Sequence, residues 1–154
     1  MSEKMQLAQL NIARTKAAMD EPLMKEFVDN LDPINAIAES SQGFVWRLQD
    51  ESGDATSIQA FDDPSIIVNM SVWESVEALK GFIFKTHHIR FLKRKSEWFD
   101  RLEQANYVLW WVPEGYRPDI EEGKQRLMHL REHGESAYAF SFKHKGDKAL
   151  EENV

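Results

Sequence analysis

An α+β fold built on one antiparallel sheet is predicted by three observations. Short runs with two-residue alternation, at 5–12, 44–49, 66–73 and 105–112, are interleaved with longer stretches whose apolar residues recur every three or four positions. Turn chemistry at 50–57 (DESGDATS) and a break at Asp62-Asp63-Pro64 join the second and third of these runs as a hairpin. The strand-like runs are also rich in aromatic and β-branched residues, which suit a packed pleated surface.

Each element follows from its residues. The first strand places Ala8, Leu10 and Ile12 on one face and Leu7, Gln9 and Asn11 on the other, so two amides share a side with a leucine. A helix follows, with Asp20 as N-cap, Pro22 in the first turn, a stripe of Leu23, Phe27, Leu31, Ile34 and Ile37, and a kink or division at Pro33. The Ser40-Ser41-Gln42-Gly43 run ends it. The second strand sets Phe44, Trp46 and Leu48 against Val45, Arg47 and Gln49. In the third strand Ile66, Val68, Met70 and Val72 oppose Ile67, Asn69, Ser71 and Trp73. A second helix starts at Glu74 or Ser75 and continues to Leu102, with Val76, Leu79 and Ile83 on one stripe and Phe84, His88 and Phe91 on its neighbour at i, i+4, i+7. After the ANYVLWWV strand, stopped by Pro113-Glu114-Gly115, Asp119 caps a third helix that closes at His133-Gly134, and 137–142 forms a short last strand.

The resulting order, βαββαβ with a C-terminal helix and short strand, is ferredoxin-like, with the helices expected on one face. One domain spans 1–154, with its core at about 5–113 and a helical extension at 114–154. Five tryptophans in a chain of this size make a bare second sheet face improbable in water. The expectation is therefore a homodimer that closes two sheets face to face into a dimeric α/β barrel.

Composition narrows the function. The chain has no cysteine, which removes disulfides, thiolate nucleophiles and cysteine-held metals, and suits a reducing cytoplasmic setting. It carries no signal-like leader and no long apolar run, so neither export nor a membrane partner is expected. The net charge of −7 argues against nucleic acid as a partner. Charge is uneven: residues 80–101 carry 7 bases and 2 acids, whereas 1–79 carry 5 and 14. That basic island reads first as the solvated face of a helix and second as a lure for an anionic small-molecule ligand.

His88 is the leading candidate for chemistry. An imidazole beside Phe84 and Phe91 is able to serve as general acid or base, as an axial ligand, or as a packed core residue. Asn11, Asn69, Ser71 and Trp73 lie on strand faces where they would close a pocket opposite it and bind an aromatic or anionic substrate. His87 projects about 100° away on the helix, so the adjacent pair is unable to grip one ion. His129 and His133 have i, i+4 spacing with one nearby carboxylate, Glu132, and His144 lies in a basic tail. No metal site is expected. Phosphate loops and nucleophile elbows are missing from the sequence.

The motifs NMSVWESVEAL at 69–79, FIFKTHHIRFLKRKSEWF at 82–99 and YVLWWVPEGYRP at 107–118 resemble an uncharacterised bacterial family, domain of unknown function 3291. GFVWRLQD at 43–50 and GKQRLMHLREHGESAYAFSF at 123–142 extend the resemblance over nearly the whole chain. The family is placed in the antibiotic-biosynthesis-monooxygenase-like, dimeric α/β-barrel superfamily, which implies the fold and the dimer. It also admits a monooxygenase-like oxidoreductase, or a non-catalytic ligand-binding dimer. A further resemblance, to the haem-degrading monooxygenases of that superfamily, puts His88 of Phe84-Lys85-Thr86-His87-His88 at their haem-ligand position and Asn11 at their first-strand asparagine. Their helical tryptophan corresponds to Ala78 here. Haem, or no cofactor at all, is the expectation that follows.

Overall fold

The computed structural model describes residues 4–49, 61–86, 88–102 and 104–143, and of Phe91 the backbone alone. The hairpin turn expected at 50–57, His87 and His144 lie outside the described residues. Strand β1 (Met5–Thr15) is the centre of the sheet. It pairs antiparallel with β3 (Ile66–Trp73), Leu7 facing Trp73 and Asn11 facing Asn69. On its other side it pairs with β5 (Tyr107–Pro113), Leu7 facing Trp111 and Asn11 facing Tyr107. Strand β2 (Phe44–Arg47) lies outside β3, and the two-residue β4 (Phe99–Asp100) pairs with the end of β1. The order β2-β3-β1-β5, all antiparallel, is the ferredoxin-like arrangement.

The first helical stretch is divided, but not where proline would suggest. A 3-10 turn (Pro22–Met24) leads into α1 (Lys25–Asp29), and α2 (Leu31–Ser40) begins after Asn30. The Asn30 amide donates to the Glu26 carbonyl at 2.7 Å, taking up a helix-end acceptor and marking the break. Pro33 sits in the first turn of α2, where its missing N–H leaves no bond unmade. The 3-10 geometry also turns Met24 inward and leaves Leu23 half in solvent, contrary to the expected stripe.

The second helical stretch breaks as well. Helix α3 (Val76–Lys85) is capped by Ser75, whose Oγ accepts from the Ala78 N–H at 3.1 Å. It stops at Thr86, which is extended (φ −116°, ψ −177°), and a separate α4 (His88–Lys93) follows. The Thr86 hydroxyl bonds to the Phe82 carbonyl at 2.5 Å and accepts from the His88 N–H at 3.3 Å, so it closes one helix and opens the next. The continuous helix to Leu102 is thus replaced by α3, α4, a 3-10 turn (Lys95–Glu97) and β4.

Both faces of the sheet are covered within one chain. Ala38 of α2 and Val76 and Leu79 of α3 pack on Leu7, Trp73 and Leu109. On the opposite face, α5 (Ile120–His133) sets Leu127 and Leu130 onto Leu10, Met70, Val72, Val108 and Trp110. Gly123 completes that i, i+4, i+7 stripe: a Cβ there would lie 2.6 Å from Leu10 Cδ1, so any larger residue would have to displace the Leu10 side chain. Asp119 caps α5 and Gly134 ends it with φ 77°, as expected. The expectation of helices on one face only is corrected, and with it the premise that an aromatic sheet face is left bare for a partner copy. The expected last strand is a single bridge, Phe140 to Leu109, that covers part of the β5 edge. No helix among the described residues is long and apolar enough to cross a membrane.

Candidate functional site

The polar residues of β1 and β3 come together on the α2/α3 face, as the alternation requires. Gln9 Nε2 donates to Asn69 Oδ1 at 2.7 Å and to Ser71 Oγ at 2.8 Å, and the Trp73 indole N–H donates to the same Ser71 oxygen at 2.8 Å. Gln9, Ser71 and Trp73 are buried in this network, whereas Asn69 is exposed at its open end. Asn11 stands directly between Asn69 and Tyr107 across three neighbouring strands. The Tyr107 hydroxyl accepts from the Phe142 N–H at 3.1 Å and keeps its own proton to donate.

An aromatic chain leads from this network to His88. Phe44 meets Trp73 edge-on at 5.4 Å, Trp73 stacks on Phe82 at 5.3 Å, and Phe82 lies 4.9 Å from the His88 ring. Burial holds the His88 pKa below its ordinary value near 6.5, and a hydrogen bond with the Ile83 backbone acts in the opposite direction. The lowering favours the neutral imidazole at pH 7, and its Nδ1 is buried without a hydrogen-bond partner among the described residues.

Phe84 is drawn elsewhere. Because the helix breaks at Thr86, it is about half exposed and leans on Phe142 at 6.3 Å instead of sharing a stripe with His88. The side chain of Phe91 lies outside the described residues. Of the bases at 80–101, Lys80, Lys85, Arg90, Lys93, Lys95 and Arg101 are exposed. Arg94 is held by Glu26 and by Glu97, the latter at 2.7 Å. Lys80 lies 5.4 Å over the Phe142 ring. The solvated-face reading of the island describes this arrangement. His129 and His133 lie ring to ring at 4.6 Å, and His129 packs equally close to Tyr138.

The Nδ1 side of His88 offers haem no axial position as it stands. An axial histidine must present a nitrogen to a slot wide enough for the macrocycle. His88 Nδ1 is screened from solvent and Phe82 occupies the adjacent space. Two surface grooves lie away from it. One, of about 480 Å³, is bordered by Trp111, Tyr116, Glu122, Arg126 and Tyr138. The other, of about 410 Å³, is bordered by Leu23, Glu26, Glu97 and Trp98.

Gln9, Arg47 and Tyr107 were not legible as site residues from sequence. Gln9 shows the same alternation as Asn11, so its face was readable even though its bridging role was not. The position of Arg47 depends on a register shift in β2. Phe44 faces Trp73 and Arg47 faces Ser71, with the irregularity between Phe44 and Trp46. Val45, Trp46 and Leu48 then all pack toward α5, which leaves Arg47 on the Ser71 side.

The family model for domain of unknown function DUF3291 matches residues 6–153. The chain belongs to this family. No curated protein sequence matches it. Among solved structures it is similar to SnoaB, a cofactor-independent oxygenase from Streptomyces nogalater, at 14% identity and TM-score 0.47, covering 77% of this chain and 100% of that one. It is similar also to a protein of unknown function from Nitrosomonas europaea, at 9% identity and TM-score 0.47, covering 76% of this chain and 96% of that one. A third is Rv0793 from Mycobacterium tuberculosis, at 11% identity and TM-score 0.46, covering 74% of this chain and 99% of that one.

Proposed function

We propose that this DUF3291 protein binds a small planar ligand at the open end of the amide network, over Asn69, Asn11 and Tyr107. The carrying observation is the cross-strand row itself: three adjacent strands present an amide, an amide and a phenol side by side. Asn69 is exposed and Asn11 half-buried, so their remaining donors and acceptors are available to a ligand's carbonyl or hydroxyl groups. Phe142 and Tyr107, 5.5 Å apart, supply an apolar wall.

Monooxygenase-like oxidoreductase chemistry is a second reading, favoured by one observation: a half-buried imidazole, held toward its neutral form, whose Nδ1 has no partner among the described residues, at the end of the Trp73–Phe82 stack. In that reading His88 accepts a proton from a bound phenol or enol, which requires the Phe82 ring to swing aside. Ligand binding is the reading that needs no movement of the aromatic stack. Neither reading requires a twofold partner, and a homodimer would use the sheet edges or helix surfaces, since both sheet faces are covered. A cytoplasmic setting accords with the absence of cysteine.

The test is a set of small hydroxylated and carbonyl-bearing aromatics followed by amide chemical shifts. Binding should perturb Asn11, Asn69 and Tyr107 and be lost in Asn11→Ala and Asn69→Ala. Ligands that perturb only the Tyr116–Arg126 groove would overturn this placement. Oxygen uptake with a bound ligand, lost in His88→Ala, would support the second reading, and uptake unchanged in that variant would remove it.

A further inference from the structure

Among the described residues, little offsets the charge of Arg47. Its side chain is only 10% exposed, yet among the described residues its one ionic partner is Glu39 Oε2, at 3.6 Å from Nε. That separation is too long for a hydrogen bond, and Nε is buried without a hydrogen-bond partner among the described residues. A guanidinium carries five N–H donors in a planar fork, and withdrawing it from water against a single distant carboxylate is costly. Glu39 is itself about half exposed, so it is a loose partner at the rim of α2 and not a buried counter-ion.

Position gives this unmet capacity a use. Arg47 faces Ser71 across β2 and β3, and Ser71 faces Gln9 across β3 and β1, so the guanidinium continues the polar network toward the sheet edge. Asn69, at the open end of that network, lies diagonally across from Arg47, a spacing of roughly 7–8 Å that a single-ring ligand spans. We propose that Arg47 anchors a carboxylate group of the ligand, which makes the ligand class a planar organic carboxylate. Resting on the ligand-binding reading above, this adds the charge of the ligand and its orientation, carboxylate toward β2 and ring toward Asn11 and Tyr107. The planar fork matches a carboxylate through two parallel N–H bonds. Glu39 holds the place that the ligand's carboxylate takes, and it moves into solvent when the ligand arrives.

The experiment uses benzoate, benzamide and inorganic phosphate as probes, with titration calorimetry for affinity and amide shifts for location on the full chain. Benzoate should bind more tightly than benzamide. Arg47→Met should weaken benzoate by about tenfold or more while leaving benzamide unchanged. Glu39→Gln, an exposed change that leaves Arg47 in place, should tighten benzoate by removing its competitor, and it keeps the test decisive if Arg47→Met fails to fold. Equal binding of benzoate and benzamide at Asn11 and Asn69, with Glu39→Gln neutral, would overturn the carboxylate anchor while the ligand-binding reading stands. Phosphate binding at Arg47 in place of benzoate would overturn the ligand class. Absence of shifts at this face with every probe would overturn both.

Discussion

Truncating Leu127 to alanine asks whether this chain closes its own sheet. Leu127 of α5 is wholly buried against the sheet, in one cluster with Leu10, Met70, Val108 and Trp110. The substitution removes three carbon atoms, and at about 0.8 kcal/mol per buried methylene the lost transfer energy is about 2.4 kcal/mol. The cavity left among residues that are themselves fully buried brings the expected loss to about 2–5 kcal/mol. Helix propensity contributes little, since leucine and alanine are both good helix formers. The neighbouring Met128 is 38% exposed, and Met128→Ala on the same turn should cost less than about 1 kcal/mol. Urea unfolding followed by tryptophan fluorescence, at two protein concentrations well apart, measures both. A Leu127→Ala loss below about 1 kcal/mol would refute the packing of α5 on the sheet. A loss that appears only at one concentration would mean that a second copy, not this helix, buries the face.

Three other outcomes follow from the same structure. Gly43 has φ +85° and a Cβ there would meet Ala78 Cβ at 2.4 Å, so Gly43→Ala should destabilise by about 2–4 kcal/mol. Adding Ala78→Gly should recover the steric part of that loss in a double-mutant cycle, and strict additivity would refute the contact. Thr86→Val keeps shape but removes the hydroxyl that bonds the Phe82 carbonyl; a loss of about 1 kcal/mol and earlier amide exchange at His88 and Ile89 are expected. His88 is held neutral by burial, so the unfolded chain binds a proton that the folded chain resists. Stability from this site is complete above about pH 6.5 and falls as pH drops below it. His88→Gln should flatten that slope in unfolding curves between pH 7.5 and 5.5, and an unchanged slope would assign it to other groups.

Local chemistry made much of the fold readable. Two-residue alternation located all three long strands, β1, β3 and β5, and Ser75, Asp119 and Gly134 capped helices where their side chains or backbone freedom required. The same alternation put Asn11, Asn69, Ser71 and Trp73 on one face, because side-chain direction in a strand is a property of parity alone. Other features depended on interactions between segments remote in sequence. Thr86 has the composition of a helix interior as readily as a break, and its hydroxyl settles the choice only by taking the Phe82 carbonyl, which parts His88 from Phe84. The covering of the second sheet face turned on Gly123, which scores as no apolar residue in a periodicity but lets α5 approach Leu10. Arg47 joined the polar face only because β2 shifts register against β3, and a one-residue shift, invisible in composition, decides which side of a sheet a charge occupies. Parity and capping are carried by neighbours in the chain and can be read along it; helix breaks, face coverage and register follow from which distant groups meet, and they emerge only when the chain is folded.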